Sequence, residues 1–201
     1  MMKYLYILVI PILFVSCSKT NIAKETAQNY VKSMYKNPES FQVEHIDVSM
    51  DTIPFFLDNN ILKVAKETYE SLEKYNEYSN RSYLWADEQS AASTQLIANK
   101  LILDALCKED NEKESQVHYV VLMKSSGTNP MGGRVSSKEI VIIDKNDPKK
   151  VLGSFNIDKD FMGAFIGAMY SRNPNWEVKQ NQFGKYETDG MNRIERFIIE
   201  E

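Results

Sequence analysis

Two runs of β-forming residues, joined by a glycine-containing loop, constrain the fold of this chain most strongly. The runs are "QVHYVVLMK" from Gln116 and "SKEIVIID" ending at Asp144, with "SSGTNPMGGRV" between them. Valine, isoleucine and tyrosine favour strands, and glycine with proline between two such runs is typical of a hairpin. A third run, "VLGSFNI", follows the polar turn "KNDPKK". The pattern predicts an antiparallel meander in which residues 117–123 and 139–144 are neighbours.

Helical periodicity dominates the rest of the chain. "NIAKETAQNYVKSMYKNP" has apolar residues at helical spacing, with Asn21 placed to cap a helix. "NNILKVAKETYESLEKYNEYS" predicts a second helix, and "YLWADEQSAASTQLIANKLILDALCK" predicts one long helix or two shorter ones. Residues 96–107 are apolar around most of the helix circumference, which favours a central position. "DKDFMGAFIGAMY" predicts a further helix that Asp158 caps, with Gly163 and Gly167 spaced for close helix packing.

The order of these elements predicts the fold class. "SFQVEHIDVSM" predicts a strand between the first two helices, whereas "MNRIERFIIEE" fits either a closing helix or an edge strand, so the segment 174–201 stays open. Helices segregated from an antiparallel sheet define the α+β class. We therefore expect several helices packed on one face of the meander. Because no internal repeat or low-complexity linker interrupts it, the segment 22–201 is predicted to be a single domain.

The start of the chain predicts its location. Lys3 precedes an apolar run of twelve residues, from Tyr4 to Val15. A membrane-spanning helix needs about 20 apolar residues, so this run suits the core of a secretory signal. Cys17 stands where the apolar run gives way to "SKTN". This seam resembles a bacterial lipoprotein signal of the Bacteroidota type, with Phe14 where that family most often has leucine. The alternative is an ordinary secretory signal with a coincidental cysteine.

The resemblance implies a lipid anchor. Residues 1–16 would be the signal peptide, cleaved after Ser16, and Cys17 would carry the acyl chains, palmitate among them. Residues 17–21 would then be the lipidated N-terminus and a short tether. Each buried methylene contributes about 0.8 kcal/mol, so several chains together hold a protein firmly. No acidic residue precedes Glu25. By the same resemblance, this implies an outer-membrane protein facing the periplasm, with a membrane partner through its lipid.

A second resemblance concerns the fold. The segment "YVKSMYKNPESF", in which a helix leads into a strand, occurs together with the later hairpin and its wide loop. The combination is similar to small cystatin-like or NTF2-like proteins of bacterial envelopes, although the helical stretch 59–108 departs from their compact version. Such folds host enzymes, binding pockets, inhibitors and immunity proteins, so the resemblance implies no single function.

Catalytic and metal-binding patterns are weak. The two histidines, His45 and His118, are far apart in sequence, and each lies in a predicted strand. Ser33 and Ser71 each begin a Ser-x-x-Lys spacing, but two unrelated occurrences in one short chain carry little specificity. We expect no metal and no cofactor.

If Cys17 is acylated, Cys107 has no disulfide partner and is predicted to be a small buried hydrophobe. The net charge of −4 argues against nucleic acid as a partner.

Aromatic and loop residues favour recognition instead. Tyrosine and tryptophan are enriched at interfaces because they bury area while keeping a polar end. The predicted interaction residues are Tyr78, Tyr83, Trp85, Met131 and Arg134. Alternatively, helical spacing places Tyr69, Tyr75 and Trp85 over the core. The leading hypothesis is a non-catalytic, lipid-anchored envelope protein that binds a protein or small ligand. The alternatives are an inhibitor or immunity protein, and a hydrolase whose residues converge only in the fold.

Overall fold

The α+β class is confirmed by the structure, a computed structural model that describes residues 5–53, 57–79, 86–112, 117–172 and 191–199. The side chains of residues 5–18, 107–112 and 170–172 lie outside this description. Within the described residues, the elements are α1 (Leu5–Met34), the 3-10 helix η1 (Pro38–Ser40), β1 (Gln42–Thr52), α2 (Asn59–Ser79), α3 (Ala86–Glu112), β2 (Val117–Thr128), β3 (Arg134–Ile143), β4 (Val151–Asn156), α4 (Lys159–Arg172) and α5 (Arg193–Ile199).

The strands form one antiparallel sheet in the order β1-β2-β3-β4. In the β2–β3 pair, Tyr119 lies opposite Ile143 and Leu122 opposite Ile140, so the predicted meander and its neighbouring strands are confirmed. The predicted loop 125–135 is too long, because β2 continues to Thr128 and β3 already begins at Arg134. Polar residues continue the strands there because each strand supplies hydrogen-bond partners to the other, which overrides low local strand propensity.

The described chain divides into two compact units. The sheet unit is Met1–Ile53 with Gln116–Asn156, and the helical unit is Pro54–Ser115 with Ile157–Glu201. The predicted single domain over residues 22–201 stays a prediction. In the sheet unit, α1 packs on the sheet and forms a core with β2 and β3. The buried members of this core are Ala23, Ala27, Val31, Tyr119, Val121, Met123, Val141 and Ile143.

Helix α1 starts earlier than expected. It begins at Leu5, so the prediction that Asn21 caps it is wrong, and residues 17–21 lie inside the helix. Ser18 to Asn21 include neither glycine nor proline, so nothing there interrupts a helix that is already nucleated. Among the described residues, no helix is long and apolar enough to cross a membrane.

The helical unit confirms the predicted close packing at the α4 glycines. A side chain at Gly167 would overlap the carbonyl group of Ala65 in α2, and a Cβ at Gly163 would lie 2.9 Å from the Tyr69 ring. Asp158 caps α4 as predicted, because its Oδ1 accepts the backbone N–H of Phe161 at 2.8 Å. The crossing therefore depends on small residues in α4 where α2 approaches most closely.

The α3 helix is buried on one side only. Leu96 and Leu103 are buried, but Ile97, Leu101 and Ile102 are exposed by 59, 65 and 52%. The prediction that residues 96–107 are central is therefore wrong for the described side chains. An apolar circumference shows that a helix could be enclosed, whereas its burial depends on what packs against it.

The structure decides between a closing helix and an edge strand for residues 191–199, which include α5. Asn192 Oδ1 accepts the N–H groups of Ile194 and Glu195, each at 2.9 Å. In return, Glu195 Oε2 accepts the N–H of Asn192 at 3.0 Å. This reciprocal capping box starts a helix, so the closing-helix alternative is confirmed there. Residues 174–190 and 200–201 lie outside the described part.

Candidate interaction surface

The connection between β2 and β3 presents Met131 on a well-defined turn. We use "hairpin tip" for residues 129–134. Asn129 Oδ1 accepts the N–H groups of Met131 at 3.0 Å and Gly133 at 2.8 Å. The backbone adds two bonds, from Asn129 N–H to the Gly133 carbonyl at 2.8 Å and from Gly132 N–H to the Asn129 carbonyl at 2.9 Å. Gly132 has a φ of +81°, which favours glycine, and Met131 is 96% exposed.

The η1 segment supports the base of the hairpin tip. Ser40 Oγ accepts the N–H of Thr128 at 2.7 Å and donates to the Asn37 carbonyl at 2.8 Å. Asn37 Nδ2 also donates to the Thr128 hydroxyl at 3.0 Å. These contacts join the η1 segment, just before β1, to the end of β2 next to the tip. The tip is thus held at both its own turn and its base.

Arg134 closes the tip with an ion pair. Its Nη2 lies 2.6 Å from Glu44 Oε1 and donates to Ser126 Oγ at 3.2 Å. The β1–β2 register shifts between Val43 and His45, so Glu44 is the bulged residue that is turned toward Arg134. A hydrogen bond from the Ser126 side chain and a second from Arg134 lower the pKa of Glu44 below its ordinary value. Glu44 is therefore held as a carboxylate beside the tip.

Glu44 was missed by reasoning from the sequence. Its pairing with Arg134 depends on the β1–β2 register, including the bulge, and ninety positions separate the two residues. Asn129 carried a usable signal, because asparagine before proline favours a turn that its own side chain closes. Local sequence could therefore indicate the turn, but it could not indicate the ion pair.

Helix α1 places Cys17 away from the hairpin tip. Just beyond its C-terminal end, the Tyr35 hydroxyl lies 2.9 Å from Ser125 Oγ, close to the tip. Earlier in the helix, Ala23 and Ala27 belong to the core that contains Tyr119, toward the far end of β2. The helix therefore runs away from the tip toward its N-terminus. At 1.5 Å per residue, Cys17 lies about 25 Å along the helix from Met34.

The remaining predicted interaction residues are distributed differently. Met131 and Arg134 belong to the sheet unit, whereas Tyr78 lies in α2 of the helical unit and is partly exposed. Tyr83 and Trp85 lie outside the described residues. Tyr69 packs its ring against Gly163 and donates to Glu73 Oε1 at 2.6 Å, which agrees with the alternative that it covers the core.

The serines that suggested nucleophiles have structural partners. Ser33 Oγ donates to the Tyr30 carbonyl at 2.6 Å, and Ser71 Oγ donates to the Glu67 carbonyl at 2.8 Å. Both bonds lie within one turn of the serine's own helix, so neither hydroxyl is directed at the lysine of its Ser-x-x-Lys spacing. Within the described part of the chain, no group of three or more His, Cys, Asp or Glu is placed to hold a metal ion.

The two histidines differ in their surroundings. His45 is exposed on β1, whereas His118 is buried on β2 opposite Asp51. Asp51 Oδ1 accepts the N–H of Thr52 at 3.0 Å. Nearby, Asp144 begins the β3–β4 turn, and the backbone N–H of Asn146 lowers the pKa of its carboxyl below the ordinary value. Both carboxylates therefore fasten backbone at strand ends, although His118 does lie beside a carboxylate.

Comparison with known proteins yields no relative. No known protein family matches the chain, and no curated protein sequence or solved structure matches it either.

Proposed function

We propose that the protein is a non-catalytic, lipid-anchored cell-envelope protein that recognises a protein partner through the hairpin tip. The observation that carries the proposal is the display of Met131, almost fully exposed on a turn closed by Asn129 and Gly132. The turn fixes the backbone at Met131 before binding, so the hairpin tip loses little backbone freedom when it meets a partner. Methionine also adapts its shape to the surface that it meets.

The shape of the hairpin tip favours a protein over a small molecule. Small ligands bind in concave sites, but a projecting loop fits into a concavity on another molecule. Arg134 and Glu44 would form a polar rim beside Met131. We therefore expect a partner with an apolar pocket and polar groups at its edge, the usual arrangement of a protein interface.

The anchor follows from the seam at Cys17, and the course of α1 supports it. Cleavage before Cys17 would leave α1 beginning at the lipid, six residues before Ala23, which is the first buried core residue among the described side chains of α1. The hairpin tip lies at the other end of the helix, so the anchored unit would present it away from the membrane. We propose the periplasmic side of the outer membrane as the location.

A substitution at Cys17 tests the anchor. We expect Cys17→Ala to abolish incorporation of labelled palmitate and to move the protein from the membrane to the soluble fraction, because the acyl attachment is lost. Ser18→Ala is the matched control and should behave as the natural chain does. Continued labelling and membrane association of Cys17→Ala would refute the lipoprotein proposal.

A paired capture experiment tests the hairpin tip. The full chain and its Met131→Asp variant would be used to capture proteins from detergent-solubilised envelopes. We expect a stoichiometric partner that the variant retains at least tenfold less well, because the charge cannot enter an apolar pocket. Leu152→Asp is the control, since Leu152 is an exposed apolar residue of β4 in the same unit. Equal capture by all three proteins would exclude the tip as the binding surface.

A further inference from the structure

Met131 differs from the other described methionines in its exposure to water. It is 96% exposed, whereas Met34 and Met50 are exposed by 48 and 52%. The buried methionines of the described chain are Met123, Met169 and Met191. Methionine is oxidised at its sulfur, so an oxidant dissolved in water reaches this group most readily at Met131.

The turn that displays Met131 does not use its side chain. The bonds that close the hairpin tip come from Asn129 Oδ1 and from the backbone, to which Met131 contributes only its N–H. A change at the Met131 sulfur therefore leaves these bonds intact. By contrast, an oxygen added to Met123 would place a polar group in the apolar core of the sheet unit, at a cost in stability. The fold thus tolerates the modification at the tip.

The chemistry is a two-electron oxidation that thiols can reverse. The thioether sulfur attacks one oxygen of a peroxide, so an S–O bond forms while the O–O bond breaks and hydroxide leaves. The sulfur is oxidised, the peroxide is reduced, and the hydroxide takes up the remaining peroxide proton to become water. In the reverse direction, methionine sulfoxide reductases use two thiols, which become a disulfide while the sulfoxide oxygen leaves as water.

We propose that Met131 is a site of reversible oxidation by peroxides in the folded protein, and that its sulfoxide weakens recognition through the hairpin tip. The oxidation site stands on the exposure of Met131 and on the turn alone. The effect on recognition rests on the proposed function. A sulfoxide is polar, so it loses its hydrogen bonds to water when it enters an apolar pocket.

Site-resolved kinetics test the oxidation site. The full chain in mild detergent would receive a limited dose of hydrogen peroxide, and mass spectrometry of its peptides would give a rate for each methionine. Following their exposure, we expect Met131 to react about twofold faster than Met34 and Met50, and more than about tenfold faster than Met123. Rates at Met34 or Met50 that equal or exceed the Met131 rate would overturn the site.

The same chain unfolded in urea is the matched control. Its methionine rates should converge, because unfolding exposes every sulfur. A preference for Met131 that persists in urea would overturn the inference, since the selectivity would then not come from the fold. Reversibility is tested with one reductase for each sulfoxide epimer. In the folded chain, the reductases with dithiothreitol should restore Met131, whereas dithiothreitol alone should not. A sulfoxide at Met131 that resists both enzymes would overturn reversibility.

Capture from detergent-solubilised envelopes tests the effect on recognition. With Met131 fully converted, we expect the chain to retain its partner about tenfold less well, and the reductases to restore capture. The control is the double variant Met34→Leu with Met50→Leu, which keeps Met131 and should lose capture equally on oxidation. Capture that survives oxidation, in either protein, would overturn the switch. If the untreated chain captures no partner through the tip, the proposed function fails and the switch with it, whereas the peptide rates alone decide the oxidation site.

Discussion

Gly167 shows how one residue determines a helix crossing. A Cβ at this position would overlap the Ala65 carbonyl of α2, and backbone cannot swing aside as a side chain can. The neighbouring contact at Gly163 involves the ring of Tyr69, which can rotate. The two glycines therefore differ in how well they should tolerate a larger side chain, because fixed backbone faces Gly167 and a rotatable ring faces Gly163.

Replacing Gly167 should therefore destabilise the protein markedly. We expect Gly167→Ala to lower the free energy of unfolding by about 1–3 kcal/mol, the usual range for overpacking. Gly153→Ala is the control, because its nearest new contact would be 3.9 Å away, and it should change stability by less than about 0.5 kcal/mol. Urea unfolding followed by circular dichroism measures both. Equal stability of the two variants would mean that α2 and α4 pack less closely than described.

At the scale of elements, an ion pair links β1 to β3 directly, in addition to the pairing of each strand with β2. The bulge in β1 turns Glu44 toward Arg134 at the start of β3, across the β2 residue Ser126. The pKa of Glu44 is lowered in the folded protein by the Ser126 hydrogen bond and then by Arg134. This contribution to stability is present above the unfolded pKa and is lost as the pH falls through the folded pKa.

The Glu44 contribution predicts a measurable pH dependence. An unfolded glutamate has a pKa of about 4.3, so the contribution should be complete at neutral pH and decline below that value. In Glu44→Gln, urea midpoints should fall less steeply between pH 6 and pH 3, a window placed around that reference value. Glu39→Gln, at an exposed glutamate in η1, is the control and should keep the natural slope. A natural slope in Glu44→Gln would contradict the pairing.

The sequence predicted the helices and strands better than it predicted which residues pack against them. Alternation and turn residues sufficed for the β2–β3 hairpin, because these signals are local. The continuation of α1 before Asn21 was missed, since a potential N-cap residue marks the start of a helix only where the preceding residues are not helical themselves. The exposure of Leu101 was missed as well, because periodicity gives a face and not its neighbour. Tertiary pairing similarly produced the contact between Glu44 and Arg134.

At the scale of the whole molecule, each compact unit is assembled from two separate stretches of chain. The sheet unit takes Met1–Ile53 and Gln116–Asn156, and α2 and α3 lie between these segments. Sequence patterns could predict the strands and helices but not this interruption, because no change of composition marks Ile53 or Gln116. The lipid anchor and the contact through the hairpin tip stay proposals, each with its own test, and failure of one leaves the other standing.

The interruption has a consequence for biosynthesis. Strand β1 is complete at Thr52, but β2 begins only at Val117, after 64 further residues. At translation rates of about 5–20 residues per second, roughly 3 to 13 seconds separate the two strands. During that interval the ribosome supplies both helices of the insertion while β1 waits without its sheet neighbour. The acidic residues Glu44, Asp47 and Asp51 lower its tendency to pair with another nascent chain. A chain truncated before Val117 would therefore lack three of the four strands and could not form the sheet.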